Sequence, residues 1–389
     1  MSEDSYSVCS SSGWFGRIGG AIKGIFIGIV LIIVSFPVLF INEGRAVKTQ
    51  KTLEEGASSV VKVSEEAIDP KNDGKLVYAS GNAMAEGVLS DDAFKVTSDA
   101  LKLRRRVEFY QWKEEKRTET KKKLGGGEET VTHYDYTKVW SDRHIDSSSF
   151  HKSQEHKNPK PELNESEWTK ESIKLEAFTL SSGLAEQIDN YSALMAKAEA
   201  ELPGEIAGKK LQRDGSGFYL GVDPNTPAIG DMRVTHEVAL PGAISVIAVQ
   251  TKNTFKPFVA KAGGTIEMLS TGNVTAEEMF AKAQASNRLL TWGLRFLGAL
   301  LMFIGFSLLF RPLSVLADVV PFIGNIVGVG TSMVALFLSV PLSLLVISVA
   351  WIFYRPLVGV PLAIAAVVGF AFLISKLMAS RKRQATAAI

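Results

Sequence analysis

Four apolar stretches leave this chain little choice but a membrane. From Leu289 to Leu377 the only charged residues are Arg295, Arg311, Asp318, Arg355 and Lys376. Three runs there, 289–310, 331–354 and 357–377, approach or reach the roughly 20 apolar residues that span a hydrocarbon core. A fourth run, Ile22–Ile41, stands alone near the N-terminus. It is too long for the h-region of a signal peptide, and Phe36-Pro37-Val38-Leu39-Phe40-Ile41 offers no small-residue cleavage site, so it reads as a retained helix. The expected fold is an α+β membrane protein. It has four transmembrane helices, one N-terminal and three C-terminal, with a large β-rich extracytosolic domain between helices 1 and 2.

The expected boundaries follow from the composition: a disordered Ser-rich tail at 1–17, helix 1 at 18–41, the β-rich domain at 42–288 and helix 2 at 289–310. An elbow at 311–330 then precedes helix 3 at 331–354, helix 4 at 357–377 and a basic tail at 378–389. In the elbow Ser314, Asp318, Pro321 and Asn325 share one helical face, the pattern of an amphipathic or re-entrant segment. Lys376, Arg381, Lys382 and Arg383 place the tail in the cytosol, and four spans then put the N-terminus beside it and the domain opposite.

The net charge of +2 hides an asymmetry. Outside 42–288 there are nine Lys/Arg against three Asp/Glu, which leaves 34 against 38 in the domain. A mildly acidic domain argues against nucleic-acid binding. The single cysteine, Cys9, excludes an intrachain disulfide.

Within the domain, Leu101, Leu103, Val107 and Phe109 alternate with Lys102, Arg104, Arg106 and Glu108, the period of a half-buried strand. Thr130–Trp140 repeats that period, and Gly125-Gly126-Gly127 between them suits a turn, so the two read as an antiparallel hairpin with a charged tip. Leu53–Ala67 and Leu184–Leu202 have helical spacing. Thr275-Ala276-Glu277-Glu278 is a capping box whose helix meets no breaker before Gly293.

Two features of the membrane segments carry candidate function. Gly16, Gly20, Gly24 and Gly28 recur every fourth residue, the small-residue spacing that lets helices approach closely, either within the chain or between copies. Arg295, Arg311, Asp318, Asn325 and Arg355 are the polar groups at or near membrane depth. Asp318, with Arg311 or Arg295 as its expected partner, is either a wet interfacial group or part of a transport path.

Catalytic chemistry is not indicated. His144, His151 and His156 near Asp142 and Asp146 match no ligand spacing of defined geometry, so no metal is expected. No Gly-x-Ser-x-Gly elbow and no phosphate-cradling glycine loop occurs, so no catalytic residue and no cofactor are assigned.

Several runs resemble the LUMA, or transmembrane protein 43, family. They are Asn42-Glu43-Gly44-Arg45-Ala46, Lys102-Leu103-Arg104-Arg105 with Tyr110-Gln111-Trp112, His156-Lys157-Asn158-Pro159, Leu180-Ser181-Ser182-Gly183-Leu184, Gly230-Asp231-Met232-Arg233-Val234, Thr291-Trp292-Gly293-Leu294-Arg295 and Phe353-Tyr354-Arg355-Pro356. The resemblance implies four spans, cytosolic termini and a lumenal domain. In animals it further implies residence in the endoplasmic reticulum and inner nuclear membrane, self-association, and lamin or emerin-like partners in nuclear envelope organisation. In a bacterium the domain would face the periplasm. The expected function is therefore a non-enzymatic, oligomerising organiser of membrane protein complexes. A channel or transporter component using Asp318 is the alternative, followed by a membrane-bound enzyme.

Overall fold

The apolar run that begins near Trp14 does not end its helix where it ends itself. In the computed structural model, which describes residues 4–195, 202–361, 364 and 368, one helix continues from Trp14 to Ser59. Helical spacing persists past the apolar run, since Ala46, Val47 and Leu53 stay buried while Lys48 and Lys51 face outward.

The chain divides into two compact units. One is β-rich and comprises residues 1–10, 52–119 and 130–282; the other is helical and comprises 11–51, 120–129 and 283–389.

In chain order the strands used below are Asp4–Ser12 (β1), Leu76–Met84 (β2), Lys102–Lys122 (β3), Glu128–Ser141 (β4) and Lys209–Asp214 (β5). They continue with Gly217–Leu220 (β6), Met232–Ala239 (β7), Gly242–Thr251 (β8) and Met268–Thr271 (β9). One sheet runs β1-β4-β3-β7-β6-β5 and ends on the short strand Glu205–Ile206. A second sheet is centred on β2 and β8, paired antiparallel with Ala79 opposite Val246, and β9 flanks β8. Leu240-Pro241 separates β7 from β8, and a proline without an N–H ends a ladder at such a point. Each sheet covers its own core. Leu103, Val107, Phe218, Met232 and Val234 pack under the first; Val77, Ala79, Phe178, Val246 and Phe255 pack under the second.

Among the inward positions of β3 that interrupt its apolar alternation is Arg105, which stands opposite His236 of β7. Two basic groups facing one another in a core need an acid. Asp91, 2% exposed, supplies it: Arg105 Nη1 donates to both carboxylate oxygens at 3.0 and 2.9 Å, and His236 Nε2 lies 2.9 Å from Oδ2. The capping box forms as expected, with Thr275 N–H donating to Glu278 at 3.0 Å and Glu278 N–H to Thr275 Oγ1 at 3.3 Å.

The helical unit is built from α1 (Trp14–Ser59), α2 (Ala276–Ala317) and α3 (Pro321–Tyr354). All three are long and apolar enough to cross a membrane. Pro37, Pro312 and Pro341 lie inside them, a tolerance typical of membrane helices, where neighbouring groups satisfy the freed carbonyls.

Several expectations are corrected. The expected fourth helix, 357–377, falls largely outside the described residues. The 20-residue elbow at 311–330 is replaced by a break at 318–320, because Pro312 is carried within α2 and Pro321 starts α3 at its first turn, where a missing N–H costs nothing. The tail expected to be disordered contains β1 from Asp4 to Ser12, a strand added to β4. The helix read at Leu53–Ala67 is the end of α1, and Ala67 lies beyond it. Among the described residues of 182–202 only Ser182–Glu186 is helical and Tyr191–Leu194 is a strand, because residue-level helical spacing yields to pairing with β7.

Candidate functional site

Each helix of the helical unit carries polar groups at two heights. The lower group lies where α1 begins, α2 ends and α3 begins; the upper one lies where α1 leaves its apolar run. Arg17 and Glu43 are 26 residues apart on α1, about 39 Å of helix, and Arg295 lies about 33 Å of helix before the end of α2, which Asp318 follows directly. Both spacings exceed the ~30 Å of a hydrocarbon core, so the apolar length between the two polar layers is enough to span one.

The upper layer is centred on Glu43, which is fully buried. Arg295 grips it with Nε donating to Oε1 at 2.6 Å and Nη2 to Oε2 at 2.9 Å, and the Trp351 indole donates to Oε2 at 2.8 Å. One carboxylate therefore joins α1, α2 and α3. Beside it Arg45 donates to Asn287 at 3.0 Å, Thr291 at 2.9 Å and Asn42 at 3.2 Å, and Asn42 Nδ2 donates to the Thr291 carbonyl at 3.0 Å. Arg355, at the C-terminal cap of α3, donates to Gln50 at 2.8 Å. Charge in lipid is costly unless paired, and bidentate arginine–carboxylate pairing meets that cost best.

The lower layer holds Asp318, 1% exposed. Its partners are neither Arg311 nor Arg295, as expected from the sequence, but Arg17 at 2.5 Å and Lys122 at 2.7 Å. Asp318 is thus buried and paired rather than wet. Arg17 also pairs with Glu128 at 2.7 Å and donates to the Gly126 carbonyl at 2.7 Å, while Lys122 donates to Asn325 at 2.9 Å. Arg311 is exposed.

The glycines separate into two groups. A Cβ on Gly28 would lie 2.6 Å from the Gly305 carbonyl oxygen, and Gly24 would touch only Leu308 at 3.7 Å; both face α2. Among the described residues nothing lies within 4 Å of the Cβ positions of Gly16 and Gly20. A four-residue step turns a helix by about 40° beyond a full turn. Three such steps carry Gly16 about 120° away from Gly28, so the series winds off the internal contact.

Glu43 was missed as a second buried acid of the helical unit. Its signal was present: Arg295 sits inside an apolar helix and requires a carboxylate, and Glu43 follows the apolar run Ile22–Ile41 by two residues.

In the β-rich unit, three of the runs that carry the family resemblance meet at one place. Asn158 is pinned, accepting from Trp112 N–H at 2.7 Å and donating to the Trp112 and Ile145 carbonyls at 2.9 and 3.0 Å. The His156 ring stacks on Tyr136 at 3.7 Å. Gly230, at φ +93°, leaves no room for a side chain because Pro159 Cγ would meet a Cβ at 2.7 Å. The neighbouring Asp231 accepts from Tyr219 Oη at 2.6 Å and from Ala228 N–H at 2.8 Å; burial and this carboxylate push the Tyr219 pKa upward. Tyr110, Gln111, Pro159 and Gly230 line a cleft of about 350 Å³. A second hollow of about 970 Å³ shares His144 and Pro159–Pro161 with it. Among the described residues no group of three or more His, Cys, Asp or Glu could hold a metal ion. The Leu180–Leu184 run is structural: Ser181 caps Ser182–Glu186 and donates to Glu267 at 2.5 Å.

A family model described as transmembrane protein 43 matches residues 109–356. Transmembrane protein 43 of Homo sapiens is 36% identical over 362 residues, covering 90% of this chain and 88% of the relative. The Mus musculus protein is 35% identical over 358 residues, covering 89% and 88%. The Drosophila melanogaster homolog is 28% identical over 350 residues, covering 87% and 90%. No solved structure matches the chain. The matched region contains the cleft, Arg295, Asp318 and Arg355, and the chain belongs to the transmembrane protein 43 family.

Proposed function

We propose that this protein is a non-enzymatic, self-associating membrane scaffold that organises membrane protein complexes. One observation carries the reading: Gly24 and Gly28 are used inside the chain, whereas Gly16 and Gly20, on the same helix, have nothing against them among the described residues. Small residues facing lipid leave a shallow surface where a second helix can approach closely, and close packing is what association in lipid rests on. Following the family resemblance, the proposed setting is the endoplasmic reticulum and inner nuclear membrane, with both termini cytosolic, the β-rich domain lumenal, and lamin or emerin-like proteins among the partners. Ion translocation through Asp318 has less support, because two cations already neutralise that carboxylate in a buried site.

Crosslinking in native membranes, followed by mass spectrometry of captured peptides, tests the proposal. Peptides joining two copies, together with those of other membrane proteins, are the expected result. A chain recovered without crosslinks to itself or to any membrane protein would refute it.

A further inference from the structure

We propose that the two hollows of the β-rich unit form a docking surface for an acidic, extended segment of a partner protein. This rests on the scaffold reading and names the chemistry of one partner. The hollows lie on either side of Pro159-Lys160-Pro161 and share that ridge. The ridge is preorganised: Asn158 is locked to the backbone of Trp112 and Ile145, its N–H donates to Ser147 at 2.9 Å, and Pro159 is seated on Gly230. Rigid surfaces bind extended segments with little ordering of their own.

Charge defines the occupant. Lys157 and Lys160 are exposed on the ridge, and Lys209 lines the smaller hollow. Two carboxylates line the same surface, Asp146 and Glu162. Asp146 accepts from Ser148 N–H at 2.9 Å, and that bond, first, and then the nearby His144 and Lys160 hold its pKa below the usual carboxylate range. Asp231 reaches Lys209 only at 3.5 Å while accepting shorter bonds from Tyr219 and Ala228. Glu162 forms no ion pair among the described residues. Lys157 and Lys160 are thus exposed beside Pro159 and Pro161, with volumes next to them that admit side chains. Ala207, at φ +51° in the two-residue turn Ala207-Gly208, borders the smaller hollow. A left-handed non-glycine residue carries strain, and strain of this kind concentrates at ligand-binding surfaces.

The test uses the full chain in phosphatidylcholine nanodiscs, which present no anionic lipid, and a short fluorescein-labelled peptide rich in glutamate. Saturable binding by anisotropy is expected, weakened roughly tenfold or more by Lys157→Glu with Lys160→Glu. Lys174→Glu with Lys256→Glu, exposed positions of the second sheet, should leave binding unchanged. No saturable binding, or equal loss in both double variants, would overturn the proposal. Crosslinks between copies that persist alongside a failure to bind peptide would leave the scaffold reading standing and remove this surface from it.

Discussion

Replacing Glu43 alone and replacing it together with Arg295 should have different consequences. Glu43→Leu leaves the Arg295 guanidinium buried without its counter-charge, a defect of roughly 3–5 kcal/mol. Adding Arg295→Leu removes the stranded charge and should recover most of that loss, because an apolar pair in lipid needs no solvation; only the Trp351 N–H then lacks an acceptor, at about 1–3 kcal/mol. Thermal unfolding in mild detergent would measure both, and a double variant no better than the single one would show that the pair is not the unit of stability. Tyr136 gives a second residue-level expectation. Burial, and then the bond its hydroxyl donates to Glu114 at 2.7 Å, push its pKa up to about 12. The unfolded chain ionises this group near pH 10. Between about 10 and 12 the folded state retains a proton that the unfolded state has lost, so stability falls as pH rises through that window. Below it the contribution is complete. Tyr136→Phe should lower stability at neutral pH, since Glu114 and Lys152 N–H lose a partner, and should flatten the alkaline decline in chemical denaturation. An unaltered slope between pH 10 and 12 would assign that decline to other groups.

At the scale of elements, what the sequence made legible depended on whether a pattern was local. The alternation of β3 and β4 and the Thr275 capping box are local, and both form where they were read. The glycine series misleads because a four-residue repeat is treated as a straight line, while an α-helix turns about 40° further at each step. The partners of Asp318 were not legible, because Arg17 and Lys122 are separated from it by 301 and 196 residues, and no periodicity encodes such contacts. Glu43 was hidden by its position at the end of an apolar run, where a charge reads as a boundary. The close crossing of α1 and α2 yields a direct prediction. Gly28→Leu would force a side chain into the Gly305 carbonyl, at 2.6 Å for its first atom alone, and overpacking of this kind costs about 1–3 kcal/mol or more. Gly20→Leu should leave stability within experimental error. Equal thermal midpoints for the two variants would mean that α1 and α2 do not cross at these glycines.

At the scale of the whole molecule, the helical unit combines closed charge with an open face. Its two buried acids, Glu43 and Asp318, are each held by cations, and the outward surface of α1 is apolar from Phe26 through Val34. A distinctive external feature of the described bundle is the small-residue start of α1. Association through that start is the central claim. Disulfide trapping in native membranes, in a Cys9→Ser background, tests it most directly. Gly20→Cys should yield a covalent dimer on oxidation, while Gly24→Cys, whose added atom faces Leu308 at 3.7 Å within the same chain, should remain monomeric. A Gly24→Cys dimer, or no dimer from Gly20→Cys under oxidation that traps other membrane contacts, would contradict the account.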